Sequence, residues 1–434
     1  MKNESVMKRR ARVLAKRHGP GSPLWRRRIA TGVGAILVGL VALLFAEMAN
    51  KAIDIFRHYI ASIWWLPLLV TPIGVTAIAL ATRQFTPEGK GSGIPQVIAA
   101  TDDPEQSLGT LISPGVGIAK LLMTAAGLLA GASVGREGPT VQVSAAIMAR
   151  VHRFLRVPVT AGVIIAGGAA GVAAAFNTPL AGVAFAIEEL ANSFEQRVAL
   201  LVMTAIVVAG IVSLGIAGDY IYFGTMPATL SLGRALLIAP VAGVFGGVSG
   251  GLFARLVLTV TFHRNRYLGP LAKRPIAWAF LCGIAIAIIG ILTGVTWGTG
   301  YLEAKIAIEG APESLWFGPG KFAATLLSTL AGLPGGIFSP SLATGAGVGN
   351  LLCLLFPNDP RGAVVLLGMI AYFTGVVRAP LTAVIIIVEA TASRGMILPL
   401  FASALVADAA GRLVCKDKLY HALAREFAIS RSSE

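Results

Sequence analysis

Apolar runs dominate the chain, and their lengths sort them into two kinds. The runs at 29–48, 63–82, 114–134, 198–217, 233–260 and 275–297 each approach or exceed the roughly 20 residues a helix needs to cross bilayer hydrocarbon. Other runs are short and stop at a proline. Residues 159–176 end at Asn177-Thr178-Pro179 and a new run begins at Leu180; residues 362–377 end at Arg378-Ala379-Pro380 and a new run begins at Leu381. Proline suits the first turn of a helix, so each reads as a helix, a break and a second helix. Broken helices at membrane depth are tolerated only where protein or a watery cavity satisfies the freed backbone. The pattern predicts an all-α polytopic membrane protein with broken or re-entrant helices, built as a transporter or channel is.

The breaks recur in register. Gly135 and Gly336, Pro179 and Pro380, and Glu188 and Glu389 are each 201 residues apart. Two homologous halves follow, and duplicated halves with interrupted helices commonly have inverted topology and a substrate site at their interface. The expected division is a basic segment over 1–28, a first membrane repeat over 29–217, a linker over 218–232, a second repeat over 233–427 and a short tail over 428–434.

Composition agrees. The chain is 55% hydrophobic and 13% charged, against about 25% charged in a soluble protein. Its net charge is +15. A cluster of lysines and arginines, from Lys2 to Arg28, directly precedes the first apolar run. The positive-inside rule places that end in the cytoplasm and accounts for the charge better than nucleic-acid binding does. The three cysteines and five histidines are scattered. They show no disulfide framework, no metal-binding spacing and no nucleophile–base set. Neither an enzyme nor a cofactor or metal site is expected.

Three loops carry the candidate chemistry: 91-GSGIP-95, 135-GREGP-139 and 336-GIFSP-340. In each, glycine permits close backbone approach and proline opens a helix. The first N–H groups of a helix have no partner within it and carry partial positive charge, which suits an anion. Three such ends at one point would replace the hydration shell of a monovalent anion with no full positive charge. GREGP also places Arg136 and Glu137 in an apolar stretch, at a cost unless a partner stays close.

The three loops, in this order and flanked by apolar helices, resemble those of the CLC family of chloride channels and proton/chloride antiporters. Tyr420, in 416-KDKLYHALA-424, completes the set, and the resemblance covers nearly the whole chain. It implies an anion site formed by the Ser92 hydroxyl, the Tyr420 phenol and the backbone amides of Ile337 and Phe338. It implies that Glu137 is an external gate and proton acceptor, and that Glu189 passes protons on the inner side. Channel members generally lack that second acid, so Glu189 favours an exchanger. The resemblance further implies a homodimer with one pathway per subunit in a bacterial inner membrane, without the paired CBS domains of many eukaryotic members. Ser92 argues for chloride, with bromide and nitrate also carried, and against fluoride specificity. A passive gated channel, or a cation-coupled organic-anion transporter on another inverted-repeat fold, stands as the alternative.

Plainer readings exist for each residue alone. Ser92 could be an N-cap, Tyr420 an interfacial aromatic, and Glu188 and Glu189 a solvated helix end. The repeat separates the last two: Glu188 matches Glu389 and reads as structural, whereas Glu189 matches Ala390. Arg136 reads as a local brace, and Lys120 as a source of positive potential. Gln96 and Ile98 stand where several bacterial relatives carry acids, which leaves Glu189 without that neighbouring charge.

Overall fold

A computed structural model describes residues 23–191 and 196–432. Most of the basic segment, residues 1–22, and the last two residues of the tail lie outside them. Seventeen helices are labelled here. In the first half they are α1 (Pro23–Ser62), α2 (Pro67–Phe85), α3 (Ile94–Asp102), α4 (Pro114–Leu129), α5 (Glu137–Phe154), α6 (Ala161–Phe176), α7 (Pro179–Phe185) and α8 (Gln196–Ala217). The second half has α9 (Leu232–Phe262), α10 (Pro275–Thr293), α11 (Tyr301–Ile308), α12 (Phe317–Leu330), α13 (Phe338–Leu352), α14 (Arg361–Val377), α15 (Pro380–Thr391) and α16 (Ile397–Val414). Helix α17 (Leu419–Ser432) follows.

The 201-residue offset survives folding. Helices α4 to α7 have their counterparts in α12 to α15 at that spacing. The halves meet where Gly135 and Gly336 pair antiparallel, with N–H···O distances of 2.6 and 2.7 Å. Helices α6 and α14 lie at the centre, buried along nearly all their length. They are apolar on every side, as a helix surrounded by protein must be. Each ends in a left-handed residue, Asn177 at φ 56° and Arg378 at φ 66°. That residue closes the helix and turns the chain toward the proline that opens the next one.

A reciprocal exchange locks the two breaks together. The Glu188 carboxylate accepts hydrogen bonds from Leu381 N (3.1 Å) and Thr382 N (2.7 Å), at the start of α15. The Glu389 carboxylate accepts from Leu180 N (3.1 Å) and Ala181 N (2.8 Å), at the start of α7. Each acid satisfies two amides that the other half's helix cannot pair internally, and its charge opposes the helix dipole.

Among the described residues, six helices are long and apolar enough to cross a membrane: Leu24–Ser62, Pro67–Phe85, Val198–Ala217, Leu232–Phe262, Pro275–Thr293 and Arg394–Val414. Their outer faces expose large apolar side chains such as Leu44, Leu236 and Leu292, a surface suited to lipid and not to water. Three details depart from the apolar pattern. The run at 114–134 is not one span: α4 stops at Leu129, and Gly131 at φ 80° redirects the chain toward Gly135. The run at 63–82 begins instead at Pro67, leaving Trp64 and Trp65 exposed in the turn before it. The span at 394–414 escapes the hydropathy pattern because Asp408 and Arg412 interrupt it; they pair with each other at 2.7 Å, and Asp408 also receives Arg378 at 2.7 Å.

Candidate functional site

The three glycine loops converge. Besides the Gly135–Gly336 pair, Gly335 N donates to Gly91 O at 3.1 Å. Gly93 adopts φ 106°, and a Cβ there would sit 2.6 Å from Gly138 O. A Cβ on Gly138 would in turn meet Ser92 O at 2.5 Å. No side chain fits at either place, which is why GSGIP and GREGP carry glycine at these points.

Helix α13 starts at this junction. Its N-cap is Ile337, whose own side chain makes no capping bond. The Glu137 carboxylate approaches its first turn: Oε1 accepts from Ser339 Oγ at 2.5 Å, and Oε2 lies 3.4 Å from the donating Ser339 N. Glu137 is 1% exposed. The helix-end charge and the Ser339 donors oppose its desolvation. Arg136 is a brace, as its position suggests. Its Nη1 donates to Ala46 O and Asn50 Oδ1, both at 3.0 Å, while Nε stays 4.0 Å from Glu137 Oε1. The guanidinium also lies 5.9 Å from the centre of the Tyr222 ring, within cation–π range.

On the other side of the junction, Ser92, Ile337 and Tyr420 line a cavity of about 60 Å³. That is room for a small ion or a water or two. The Ser92 hydroxyl and the Tyr420 phenol are buried and face each other, and neither makes a well-formed hydrogen bond. Buried polar groups are normally paired, so two poorly satisfied hydroxyls in one cavity suit a ligand that accepts from them. Phe338 stacks on Tyr420, ring centres 6.1 Å apart, and packs against Phe176, Phe185 and Phe373. The plain reading of Ser92 as an N-cap does not hold: Gly93 caps α3, without a side-chain bond.

Glu189 is not part of this cavity. It lies on a π-helical turn, Ala186–Leu190, that continues α7. The matching residues of α15 form ordinary α-helix, and π turns inside helices are frequent at functional sites. Glu189 is 1% exposed, and neither oxygen accepts a hydrogen bond. Lys120 is fully buried and its Nζ is unpaired, whereas its repeat counterpart Lys321 donates to Thr296 O and Gly298 O. Among the described residues, no group of three or more His, Cys, Asp or Glu side chains could hold a metal.

Two residues at the site were not visible from sequence reasoning. Ser339 lies inside GIFSP, but only the fold brings its hydroxyl to Glu137. His421 follows Tyr420, and nothing in its local sequence sets it against Glu189.

The halves, the crossed breaks and the convergent helix starts define an inverted-repeat membrane protein with an anion-suited centre. Comparison with known proteins gives the family. The voltage gated chloride channel family matches residues 73–412, more than half of the chain, and the chain belongs to it. It is 31% identical over 426 residues to the H(+)/Cl(-) exchange transporter ClcA of Vibrio cholerae, covering 89% of this chain and 86% of the relative. To the exchanger of the same name from Yersinia pestis it is 29% identical over 425 residues, covering 91% and 87%. Among solved structures it is similar to a slow cyanobacterial Cl-/H+ antiporter, at 26% identity and a TM-score of 0.79, covering 93% of this chain and 98% of that one. A eukaryotic CLC transporter, at 22% identity and a TM-score of 0.74, shares the fold over 92% of this chain and 74% of its own.

Proposed function

We propose that this protein exchanges chloride for protons across a bacterial inner membrane. The single observation that carries this reading is the position of the Glu137 carboxylate. It rests on the first turn of α13, where Ser339 donates to it, and the same donors suit a chloride ion. Carboxylate and anion compete for one place, and protonation of Glu137 releases it. Inward from that gate, the Ser92 and Tyr420 hydroxyls and the amides of Ile337 and Phe338 hold the central anion. Binding by neutral donors is favourable without being tight, as conduction requires. Glu189 is the internal proton acceptor. Relatives named as H(+)/Cl(-) exchangers, matched over most of their length, support antiport over a passive channel.

The protein works as a homodimer with a pathway in each subunit and a cytoplasmic N-terminus, the domain limits being those given by the sequence. Bromide and nitrate are accepted with chloride.

Purified protein in liposomes tests the central claim. With an imposed chloride gradient and no proton gradient, protons move uphill in fixed proportion to chloride. Chloride flux with no proton pumping would leave a gated channel, and no chloride flux would overturn the reading altogether.

A further inference from the structure

Glu189 is a buried carboxylate with no hydrogen-bond donor, an arrangement that is costly unless a proton or a cation is at hand. What the fold sets against it is His421, on the first turn of α17. His421 Nδ1 stands 3.3 Å from Glu189 Oε1, and this nitrogen too has no hydrogen-bond partner. The Glu189 side chain is 0% exposed and that of His421 is 33% exposed. One group is sealed and the other is part-exposed, beside the exposed ion pairs Arg425–Asp417 and Lys90–Glu426 that suit water, and the two nearly touch.

We infer that His421 is a proton relay between solvent and Glu189. This rests on the reading of Glu189 as the internal proton acceptor. An unperturbed imidazole gains and loses a proton between about pH 5 and 8, the one side chain to do so. In the inward step, the ring takes a proton from water at its exposed edge and becomes imidazolium. Its Nδ1–H then passes to Glu189 Oε1, leaving a neutral imidazole and a neutral carboxylic acid. The ring returns to its starting form by exchange with solvent. The outward step is the reverse. No other reactant is needed.

The surrounding charges are largely engaged elsewhere. Glu188 caps α15. Arg425 pairs with Asp417 at 3.9 Å, Lys90 with Glu426 at 3.5 Å, and Arg378 and Arg412 with Asp408. On α3, which packs against α17, Gln96 and Ile98 are uncharged, and Asp102 at its end has an interaction of its own. On α14, Arg361 donates to Asn350. On α9, Arg234 is held by Asp359, which leaves Arg255 there, with Lys416 and Lys418 ahead of α17, as background positive charge. Tyr420, next to His421, is buried in the anion cavity.

The test measures chloride and proton fluxes together from the full-length protein in liposomes, for His421→Ala, His421→Gln and Glu189→Gln. The expected result is that both His421 variants lower the ratio of protons to chloride by about a hundredfold or more, the scale of a lost proton-transfer group. The pH dependence of proton flux near neutrality should flatten. Imidazole added on the His421 side should restore proton flux to His421→Ala, which a packing role would not allow. A parental ratio and pH profile in both His421 variants would overturn the relay, as would a lowered ratio that imidazole does not restore. If Glu189→Gln also pumped normally, the underlying reading would fall first. If Glu189→Gln lost pumping while the His421 variants kept it, only the relay would fall.

Discussion

At the scale of single residues, Glu137 carries the most weight, because two kinds of negative charge fit where its carboxylate lies. Replacing it with alanine removes the competitor and keeps the donors. Glu137→Ala should therefore conduct chloride with no coupled proton movement and no pH dependence, read as chloride efflux from liposomes across a pH series. Proton exchange persisting in that variant would remove Glu137 from the proposal. Ser92 offers a hydroxyl donor in the cavity it shares with Tyr420. Ser92→Pro removes that donor and should raise nitrate transport relative to chloride, measured by anion-specific electrodes; an unchanged preference would show that the hydroxyl is not a ligand. The candidates Ser92, Glu137, Ile337 and Phe338 were visible in sequence because they lie in short glycine–proline motifs. Ser339 and His421 were not, since their importance comes from contacts that span 202 residues in one case and link different helices in the other. A lone serine or histidine gives no local sign of either.

At the scale of elements, the crossed carboxylates make the clearest energetic statement. Glu188 and Glu389 are half-buried, and each accepts from two amides of a proline-started helix. Glu188→Ala or Glu389→Ala leaves those amides without acceptors and should cost about 1–3 kcal/mol. The check is a lowered Tm in detergent for either variant, with similar size for the two because the contacts are equivalent. A negligible shift in both would mean water replaces the carboxylates. The same elements show what a sequence reveals about helices. Proline after an apolar run marked both breaks, and α7 and α15 begin at those prolines. Apolarity alone did not mark helix ends. Helix α1 extends over 40 residues, well past the apolar run at its start, because its later turns have protein neighbours. Helix α4 stops short of its run, because the chain must turn to bring Gly135 beside Gly336. In both cases tertiary contacts decide, and hydropathy does not record them.

At the scale of the whole molecule, the pseudo-symmetry places a shared centre between the halves and then departs from symmetry where function is proposed. Gly135 and Gly336 pair, yet Glu137 faces Ser339 with no acid at the reciprocal place, since Phe338 is its counterpart. Lys321 is satisfied by two carbonyls and Lys120 by none. Glu189 has a π turn and Ala390 an ordinary one. The repeat was legible in sequence because proline, glycine and glutamate keep one spacing. The departures could be named only as mismatched letters until the fold showed which side of each pair lacked a partner. Since both halves build the centre, segments 1–217 and 218–434 expressed together should assemble and transport chloride, whereas neither alone should. Chloride flux from a single half would contradict a site shared between them.

The crossed carboxylates also bear on how the chain is made. The amides of Leu180 and Ala181 await an acid 209 and 208 residues further on. At about 5–20 residues per second, that interval is on the order of 10–40 s of synthesis. Through that time the first half sits in the membrane with the start of α7 open and Glu188 holding nothing. Both ends can close only once the second half has been made, and not when the first half is inserted. An unfinished chain therefore carries a bare helix end and an unclaimed acid.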